Sequence, residues 1–349
     1  MRLALGFKAI NSVSPTPSVY VELAQAAERC GYESLWAPEI RTTDPFAFLA
    51  WLGGHTTNIG LGAGVAQVFA RTPVATAASA ITLAGLTGGR FRLGLGVAGP
   101  HIVEGWHGRP YQRPLSYLRD YLAVVRLALD GAPVQYAGPE ITLPCPGASD
   151  GVVPLRFPTR PSRMPVYLAG LARNSVALAG ELADGWMAVH TPPGYIKTAR
   201  EWLQQGAARS GRSLDGFHTI VMLICSVDQD EDLARDLVRP TLALYLGGMG
   251  TRQRNFYVNL ASRLGFATAA TAVQEAFTGG DMGGAIAAVD DELVDAMSLC
   301  GRPERVREKL AAYREAGVDT VVISPAAPAP GGQLRQIELL ATLAEYAQP

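Results

Sequence analysis

Eight short apolar segments alternate with amphipathic helical patterns along most of the chain, and this rhythm constrains the fold more than any other feature. The segments are rich in Val, Ile and Leu and lack clean apolar–polar alternation, as is typical of parallel strands covered on both faces. They lie at residues 3–7, 34–37, 59–63, 91–96, 166–169, 185–189, 219–226 and 320–324. The first four begin 25 to 32 residues apart, which is the size of one βα unit.

Amphipathic patterns with helix boundary signals separate these strands. The first pattern stops before Gly31, a residue suited to the left-handed position after a helix. The second begins with Pro73, because proline is favoured at the first helical position. Helices are predicted at residues 18–29, 73–86, 115–129, 173–183, 303–316 and 333–347.

Two gaps in the rhythm are longer than one βα unit. Residues 131–164 are rich in Pro and Gly and contain two extended pieces, at 134–136 and 140–143, which predict a β-hairpin. Residues 240–300 have a helical pattern that glycine pairs interrupt. Because the strand–helix alternation resumes after each gap, we interpret both as insertions, after strands 4 and 7, rather than as new domains.

The strand count predicts an α/β fold, a (β/α)8 TIM barrel that occupies residues 1–349 as a single domain. Parallel strands joined by helices form right-handed crossovers, which this fold accommodates. An open doubly wound sheet is the alternative. That sheet often carries a GxGxxG motif at its first βα turn, where this chain has Gly6 alone, so the barrel is favoured.

Charge and hydropathy argue against two classes of partner. The 30 Lys and Arg residues balance 31 Asp and Glu residues, so we expect no nucleic acid bound through a strongly basic surface. No apolar run reaches the roughly 18 residues of a membrane-spanning helix, and the run at the N-terminus is too short for a signal peptide. We therefore expect no membrane partner and a cytoplasmic protein.

Metal-ligand spacings are missing from the sequence. The four cysteines, Cys30, Cys145, Cys225 and Cys300, are far apart and form no CxxC pair. The five histidines form no HxH or HExxH motif. We predict no metal site and no disulfide, with the cysteines as small buried hydrophobic residues in a reducing compartment.

The C-terminal ends of the strands are where the active site of such a barrel lies. Glu39 follows strand two and could accept a proton or bond a cofactor ring, although a solvated loop acid has the same signature. Glycines end strands three and four, in GLGAGV and GLGVAG, and would allow either a flat ligand or tight packing. His190 ends strand six, and His101 and His107 lie in the loop after strand four.

The turn after strand five is a candidate phosphate site. Ala169, Gly170 and Leu171 connect the strand to a helix that begins near Arg173, so backbone N–H groups at the helix N-terminus are available to an anion. Arg173 could add a charge-assisted contact. Glycine is common in βα turns, and this pattern alone does not distinguish a phosphate site from an ordinary connection.

Four segments resemble the bacterial-luciferase-like family, and together they span essentially the whole chain. They are GYESLWAPEI, the segment from IGLGAGVAQVF to FRLGLGVAG, PVYLAGLARNSVALAGELADGWMAVHTPP, and GRPERVREKLAAYREAGVDTVVISP. The pairing of LAGELADGW with EAGVDTVVISP is the most specific feature. Within the family, the chain is most similar to the branch that uses coenzyme F420, a deazaflavin, which includes methylenetetrahydromethanopterin reductases and a sugar-phosphate dehydrogenase. The resemblance implies a (β/α)8 barrel with insertions, usually dimeric.

The resemblance also implies a place for each part of the cofactor. A non-prolyl cis peptide bond is expected between Gly64 and Val65, in a bulge that ends strand three and backs the deazaflavin ring. Glu39 would bond the ring edge. The other expected cofactor-binding residues are Phe7 at the end of strand one, Ala98 and Gly99 near the ring or ribityl chain, Ala169, Gly170 and Leu171 at the phosphate, and His190 beside the tail.

Departures from the family pattern separate this chain from both of those substrate classes. Ile40 and Pro100 replace a histidine and an acid of the sugar-phosphate dehydrogenases. Phe7 and Lys8 stand where the methanopterin reductases carry acids. Neither substrate is therefore carried over. The predicted catalytic residues are Glu39, His101 and Glu104, with Lys8 as a further group that could act as acid or base.

These observations predict an F420-dependent oxidoreductase that transfers a hydride between the deazaflavin and a small organic substrate. A deazaflavin has carbon where a flavin has its reactive nitrogen, so it reacts poorly with oxygen, and reduction or dehydrogenation is favoured over oxygenation. Two alternatives remain: an FMN-dependent monooxygenase on the same fold, and a non-catalytic flavin-binding barrel. We expect a homodimer.

Overall fold

The computed structural model describes residues 1–8, 17–40, 43–157 and 163–345. Its strands are β1 (Arg2–Gly6), β2 (Ser34–Ala37), β3 (Gly60–Gln67), β4 (Phe91–Gly96), β5 (Tyr136–Ala137), β6 (Thr142–Leu143), β7 (Val166–Ala169), β8 (Gly185–Val189), β9 (His218–Val227), β10 (Leu299–Gly301) and β11 (Thr320–Pro325). Its helices are α1 (Ser18–Arg29), α2 (Pro45–Gly54), α3 (Pro73–Leu86), α4 (Pro100–Gly105), α5 (Pro114–Leu129), α6 (Arg173–Leu182), α7 (Pro193–Arg209), α8 (Glu231–Gly248), α9 (Phe256–Arg263), α10 (Ala267–Thr278), α11 (Met282–Ala287), α12 (Asp291–Met297), α13 (Pro303–Glu315) and α14 (Pro330–Glu345).

The eight predicted strands form a closed parallel barrel. Around the ring the order is β9, β11, β1, β2, β3, β4, β7 and β8. Five residue pairs between β8 and β9, from Gly185–His218 to Val189–Met222, close the ring. The predicted (β/α)8 TIM barrel is therefore confirmed, and its closure excludes the open doubly wound sheet.

The strand and helix boundaries follow the sequence prediction closely. Each predicted strand agrees with the structure to within one residue at each end, except that β3 runs on to Gln67. The predicted helices agree similarly, except that α14 begins three residues early, at Pro330. The last two residues predicted for that helix, 346 and 347, lie outside the described residues.

Helices α2, α4 and α7 and strand β10 were not predicted, and His101, which was placed in a loop, lies on α4. Helix α2 has the sequence PFAFLAWLGG and is apolar on all sides, so it lacks the periodic pattern of an amphipathic helix. Its N-cap is Asp44, whose carboxylate accepts the N–H groups of Phe46 and Ala47 at 2.8 and 3.0 Å. Helix α8 begins at Glu231, before the predicted insertion, and continues through Pro240. Strand β10 pairs in parallel with the C-terminal end of β9, beyond the part of β9 that pairs with β8.

The predicted hairpin after the fourth barrel strand is present. Tyr136 and Ala137 of β5 pair antiparallel with β6. The buried carboxylate of Asp120, on α5, fastens the hairpin to the barrel: it accepts the Tyr136 hydroxyl at 2.9 Å and the N–H groups of Glu140 and Ile141 at 2.7 and 3.0 Å. Residues 158–162 of this predicted insertion lie outside the described part of the chain.

Large side chains fill the barrel interior. The rings of Trp36 and Tyr167 meet edge to face with their centroids 5.7 Å apart, and Met187 packs in the same cluster. Glycines on neighbouring strands make room: a Cβ on Gly62 would lie 2.4 Å from the Trp36 ring, and one on Gly94 would lie 2.3 Å from a backbone oxygen of β3. The interior is therefore a packed core, as in other barrels of this type.

Polar side chains close the N-terminal end of the barrel. The Thr320 hydroxyl donates to Glu33 at 2.6 Å and lies 3.1 Å from Nε2 of His218, while the Tyr167 hydroxyl lies 2.9 Å from Nδ1 of the same imidazole. Arg92 pairs with Glu33 at 3.0 Å. With this network at one end and the packed core above it, the opposite end is the place for a ligand. We call that end the mouth: the C-terminal ends of the eight barrel strands.

A group of helices after β9 covers the mouth, and we call α8 to α12 the roof. The roof packs around a second apolar core, which also includes Tyr195 of α7, Ile224 of β9 and Cys300 of β10. Fully buried members of the roof core include Leu242, Leu246, Val273, Leu293 and Met297. Among the helices that the structure describes, none is long and apolar enough to cross a membrane.

Candidate active site

A bulge at the end of β3 shapes the floor of the mouth. The pairing of β3 with β4 shifts register between Ala63 and Ala66, and the Gly64–Val65 peptide bond is cis, so the predicted bulge and cis bond are confirmed. The Val65 side chain lies over the end of β4, where a Cβ on Gly96 would be 2.7 Å from its Cγ2. The floor is therefore apolar, and glycine at position 96 allows the two strands to approach.

Glu39 is bonded within the protein at both carboxylate oxygens. Oε2 accepts the backbone N–H of Gln67 at 2.6 Å, and Oε1 accepts Nη2 of Arg71 at 3.0 Å. The side-chain amide of Gln67 donates to the Glu39 carbonyl at 2.5 Å, which fastens β2 to β3 just past the bulge. Arg71 also binds Asp44 at 2.7 Å, and the pKa of Asp44 is lowered because backbone N–H groups and Arg71 outweigh the opposing effect of burial. The structure thus gives Glu39 a bracing position at the mouth.

The segment after β4, which includes helix α4, contains four predicted site residues: Ala98, Gly99, His101 and Glu104. Ala98 has a left-handed backbone, with φ of 55°, and its carbonyl accepts the Tyr111 hydroxyl at 3.2 Å. Gly99 precedes α4, and a Cβ on it would lie 2.7 Å from Nδ1 of His101. Glu104 is exposed and accepts the backbone N–H of Tyr111 at 3.3 Å. A non-glycine residue with positive φ stores strain that often marks a functional site.

The side chain of Gln67 also contacts His107, which was not among the predicted site residues. Nε2 of His107 lies 3.4 Å from Oε1 of Gln67. His107 is partly buried, and its backbone N–H donates to the carbonyl of Ile102 at 3.0 Å. Glu39, Gln67 and His107 therefore form one hydrogen-bonded chain above the ends of β3 and β4.

The turn after β7 presents backbone donors. Gly170 donates to the Met187 carbonyl at 3.3 Å and accepts the Trp186 indole N–H at 2.8 Å, so its orientation is fixed. A Cβ on Gly170 would lie 2.5 Å from Oγ of Ser175, in the first turn of α6. In the part of the chain that the structure describes, the N–H groups of Arg173 and the residue after it have no protein acceptor. Such donors at a helix N-terminus suit a phosphate.

The arginine beside this turn is not the predicted one. Arg173 points away from the turn and donates to Gln205 of α7 at 2.9 Å. Arg263, on α9 of the roof, donates instead to the Leu171 carbonyl at 3.3 Å. The sequence offered no signal for this contact, because 92 residues separate the two partners.

His190 points into the roof rather than across the mouth. Its side chain is 3% exposed, and Nδ1 lies 3.0 Å from the carbonyl of Met297. Because a carbonyl only accepts, Nδ1 carries the proton. The ring meets Tyr245 edge to face with centroids 4.5 Å apart, and Tyr245 in turn meets Tyr257 at 4.7 Å. Burial lowers the pKa of His190 to about 4, so this histidine is neutral at physiological pH.

Phe7 and Lys8 follow the end of β1. The Phe7 ring packs edge to face with Phe48 at 5.2 Å and with Tyr20 at 6.1 Å, in the core between the barrel and its outer helices. Lys8 is exposed to solvent, yet surrounding protein partly desolvates it and lowers its pKa. Because the Phe7 ring is held in this aromatic cluster, Lys8 is the better candidate at this strand end.

The cysteines and acids offer no obvious metal centre. Within the described ranges, no group of three His, Cys, Asp or Glu side chains is arranged to hold a metal ion. Cys225 and Cys300 are buried as expected, whereas Cys30 is half-buried and Cys145 is exposed, in the loop after β6. Burial raises the pKa of Cys225 and of Cys300.

Comparison with known proteins identifies the family. A model described as luciferase-like monooxygenase matches residues 5–320. The chain belongs to this luciferase-like family. Relatives include a Mycobacterium tuberculosis protein provisionally named as a coenzyme F420-dependent oxidoreductase, 35% identical over 335 residues and covering 94% of each chain. A 5,10-methylenetetrahydromethanopterin reductase of Archaeoglobus fulgidus is 31% identical over 316 residues, covering 88% of this chain and 89% of the reductase.

Within the luciferase-like family, a solved structure extends the likeness to the backbone. The coenzyme F420-dependent tetrahydromethanopterin reductase of Methanopyrus kandleri superposes with a TM-score of 0.83, at 25% identity and over 99% of each chain. The barrel and both insertions of this chain fall within that overlap.

Proposed function

We propose that this protein is a coenzyme F420-dependent oxidoreductase that transfers a hydride between the deazaflavin and a small organic substrate. The similarity to F420-related proteins over about nine-tenths of the chain carries the choice of cofactor. The mouth supports it, because a flat ring needs an apolar floor and a phosphate needs backbone donors. Both are present, at Val65 and at the turn after β7.

The residues at the mouth suit the parts of a deazaflavin cofactor. Val65 would back the ring, and the backbone of Ala98 and Gly99 would lie along it. The N–H groups at the start of α6 would hold the phosphate, with Arg263 adding positive charge near the Leu171 carbonyl. When bound, the cofactor would donate or accept the hydride, according to the direction of the reaction, while the protein supplies position, exclusion of water and a proton.

We propose that the three predicted catalytic residues have different roles. Glu39 acts as a positioning residue, because Gln67 and Arg71 occupy its oxygens and it holds the bulge behind the ring. Glu104 is exposed and bonded to the Tyr111 backbone, which places it with the structural residues of the segment after β4. The accompanying proton would then come from a histidine of that segment, which contains His101 and His107.

A titration of the protein with oxidised F420 and with FMN tests the cofactor assignment. We expect fluorescence quenching to give a lower Kd for F420. Equal or tighter FMN binding would instead favour an FMN-dependent monooxygenase, the activity for which the family is named, and binding of neither would indicate a non-catalytic barrel. Two arginines give a matched pair: Arg263→Gln should weaken F420 binding three- to tenfold, about 1 kcal/mol, whereas Arg173→Gln should not change it.

We further propose that the protein is a cytoplasmic homodimer and that each chain forms a single domain, made of the barrel and the roof. An apolar strip after the hairpin supports self-association, because Val152, Val153 and Leu155 are 53%, 66% and 76% exposed. The thiol groups are all free, as in a reducing compartment. Light scattering after size exclusion should give twice the 37.0 kDa chain mass. Leu155→Asp should shift the mass to that of one chain if the strip forms the interface.

A further inference from the structure

We infer that His107 is the proton-transfer residue of this site, and that Gln67 fixes which of its ring nitrogens exchanges the proton. The inference rests on the proposed function and adds to it a residue that sequence comparison did not nominate. It starts from one contact, the 3.4 Å between Nε2 of His107 and Oε1 of Gln67.

The orientation of the Gln67 amide follows from its other partner. Its Nε2 lies 2.5 Å from the carbonyl oxygen of Glu39, and a carbonyl can only accept, so the amide nitrogen must face Glu39. The amide oxygen therefore faces His107. Because that oxygen can also only accept, Nε2 of His107 carries a proton in both the neutral and the charged imidazole. Nδ1 is left as the nitrogen that gains and loses the exchangeable proton.

The position of His107 suits this role. Gln67 is the last residue of β3 and pairs with Gly96, the last residue of β4, so the contact lies at the mouth, beside the bulge that carries Val65. The hydrogen bond from the His107 N–H to Ile102 anchors the backbone. Within the described residues, no group is hydrogen-bonded to Nδ1 of His107, which leaves it available to a substrate.

Charged groups lie near His107 on two sides: behind Gln67, and on the segment after β4 that carries His107. Behind Gln67, Arg71 pairs with Glu39 at 3.0 Å and with Asp44 at 2.7 Å, so one guanidinium faces two carboxylates on that side. On the segment after β4, Glu104 accepts a backbone N–H, and the guanidinium of Arg109 lies over the Phe69 ring at 5.6 Å. A neutral imidazole has one ring nitrogen that donates a hydrogen bond and one that accepts, which suits general acid–base catalysis.

The step balances as the addition of one hydride and one proton. A C=O or C=N acceptor receives the hydride at carbon, and the π electrons move to the heteroatom. His107, as imidazolium, gives the Nδ1 proton to that heteroatom and becomes the neutral Nε2–H form. It is recharged by a proton from solvent, and the oxidised cofactor releases its remaining ring proton to solvent. Dehydrogenation of an alcohol or amine is the reverse.

Nitrogen NMR of the imidazole tests the geometry without cofactor or substrate. In the wild-type protein above neutral pH, the shifts of His107 should show the Nε2–H form as the dominant tautomer. Gln67→Met keeps the side-chain length but removes the acceptor, so it should give a mixture of tautomers. A mixture already present in the wild type, or an unchanged tautomer in Gln67→Met, would overturn the role of Gln67.

Kinetics on the full protein test the role of His107. F420 binding is measured first, and turnover of reduced F420 is then followed at 420 nm with acetone and with methylenetetrahydromethanopterin as acceptors. His107→Asn should leave the Kd for F420 within threefold, lower kcat at least 100-fold, and remove the alkaline limb of the pH profile. His55→Asn, on the exposed end of α2, is the control and should match the wild type.

The outcomes separate the two proposals. A wild-type protein that does not bind F420 contradicts the function proposed above and with it the catalytic role of His107. If F420 binds and neither acceptor is turned over, the tautomer of His107 in the NMR experiment decides the inference. A wild-type protein that binds and turns over F420, with a His107→Asn variant that keeps its rate and its pH profile, overturns the inference alone. Loss of the alkaline limb in His101→Asn, and not in His107→Asn, also overturns it.

Discussion

His190 should make the folded protein sensitive to mild acid. Its pKa is about 4 in the folded state because of burial, against 6.5 for an unburied histidine. Above pH 6.5 the His190 side chain is neutral in both the folded and the unfolded state, so it leaves the free energy of unfolding unchanged. As the pH falls from 6.5 toward 4, the unfolded state binds a proton that the folded state cannot, so stability falls through that window. At 1.36 kcal/mol for each pKa unit, the full loss is about 3 kcal/mol, and about 2 kcal/mol of it occurs by pH 5.

His190→Asn isolates this contribution. Asparagine accepts the left-handed backbone, here with φ of 53°, and its amide nitrogen can replace Nδ1 as the donor to Met297. Urea unfolding, followed by circular dichroism at pH 7.5 and pH 5.0, gives the loss of unfolding free energy for each protein. The wild type should lose about 2 kcal/mol more than His190→Asn over this range.

Comparing the loss of unfolding free energy in the wild type with that in His190→Asn removes the effects that both proteins share. His218 is half-buried, and desolvation lowers its pKa, so it adds to acid sensitivity in both proteins; any cost of the substitution itself cancels. The exposed histidine His55 serves as control, and His55→Asn should lose as much as the wild type. Equal losses in the wild type and His190→Asn would refute the reasoning.

Three further substitutions test separate contacts. Asp120→Asn should cost about 2 kcal/mol in urea unfolding and speed proteolysis of the hairpin, because the carboxylate holds three donors; exposed Asp130→Asn should do neither. Gly206→Ala should sharply lower the unfolding free energy, since its Cβ would lie 1.8 Å from a carbonyl of α6, whereas Gly85→Ala on exposed α3 should raise it by up to about 1 kcal/mol. Gly170→Ala should weaken F420 binding at least tenfold with unchanged far-UV circular dichroism; unaltered affinity would move the phosphate elsewhere.

The barrel was predictable because its signal is local and repeated. Each βα unit carries its own apolar strand and helix boundary, so eight of them define the fold without any knowledge of contacts. Helix α2 was not predicted because it is apolar on all sides and therefore lacks the 3.6-residue period of an amphipathic helix. The cis bond at Gly64–Val65 was found through family resemblance, and not from the glycines themselves.

The site was less predictable because its details depend on register and on distant partners. Phe7 was predicted at the cofactor, but its ring packs against Phe48 and Tyr20, which lie on helices distant in sequence. The sequence placed Glu39 at the mouth, where the structure has it. Its partner Arg71 lies 32 residues away in the sequence, and no local pattern predicts the ion pair. The contact between His107 and Gln67 spans 40 residues and escaped for the same reason.

The roof core has an evolutionary consequence. Most of its residues lie on α8 to α12, so most changes inside it repack the roof helices. Tyr195 and Ile224 also belong to this core, and Arg263 reaches the Leu171 carbonyl, so changes beside these contacts also act on the barrel end of the site. A lineage with this architecture can acquire new acceptor molecules by repacking roof helices away from these contacts, while the bulge of β3 and the turn after β7 keep their form.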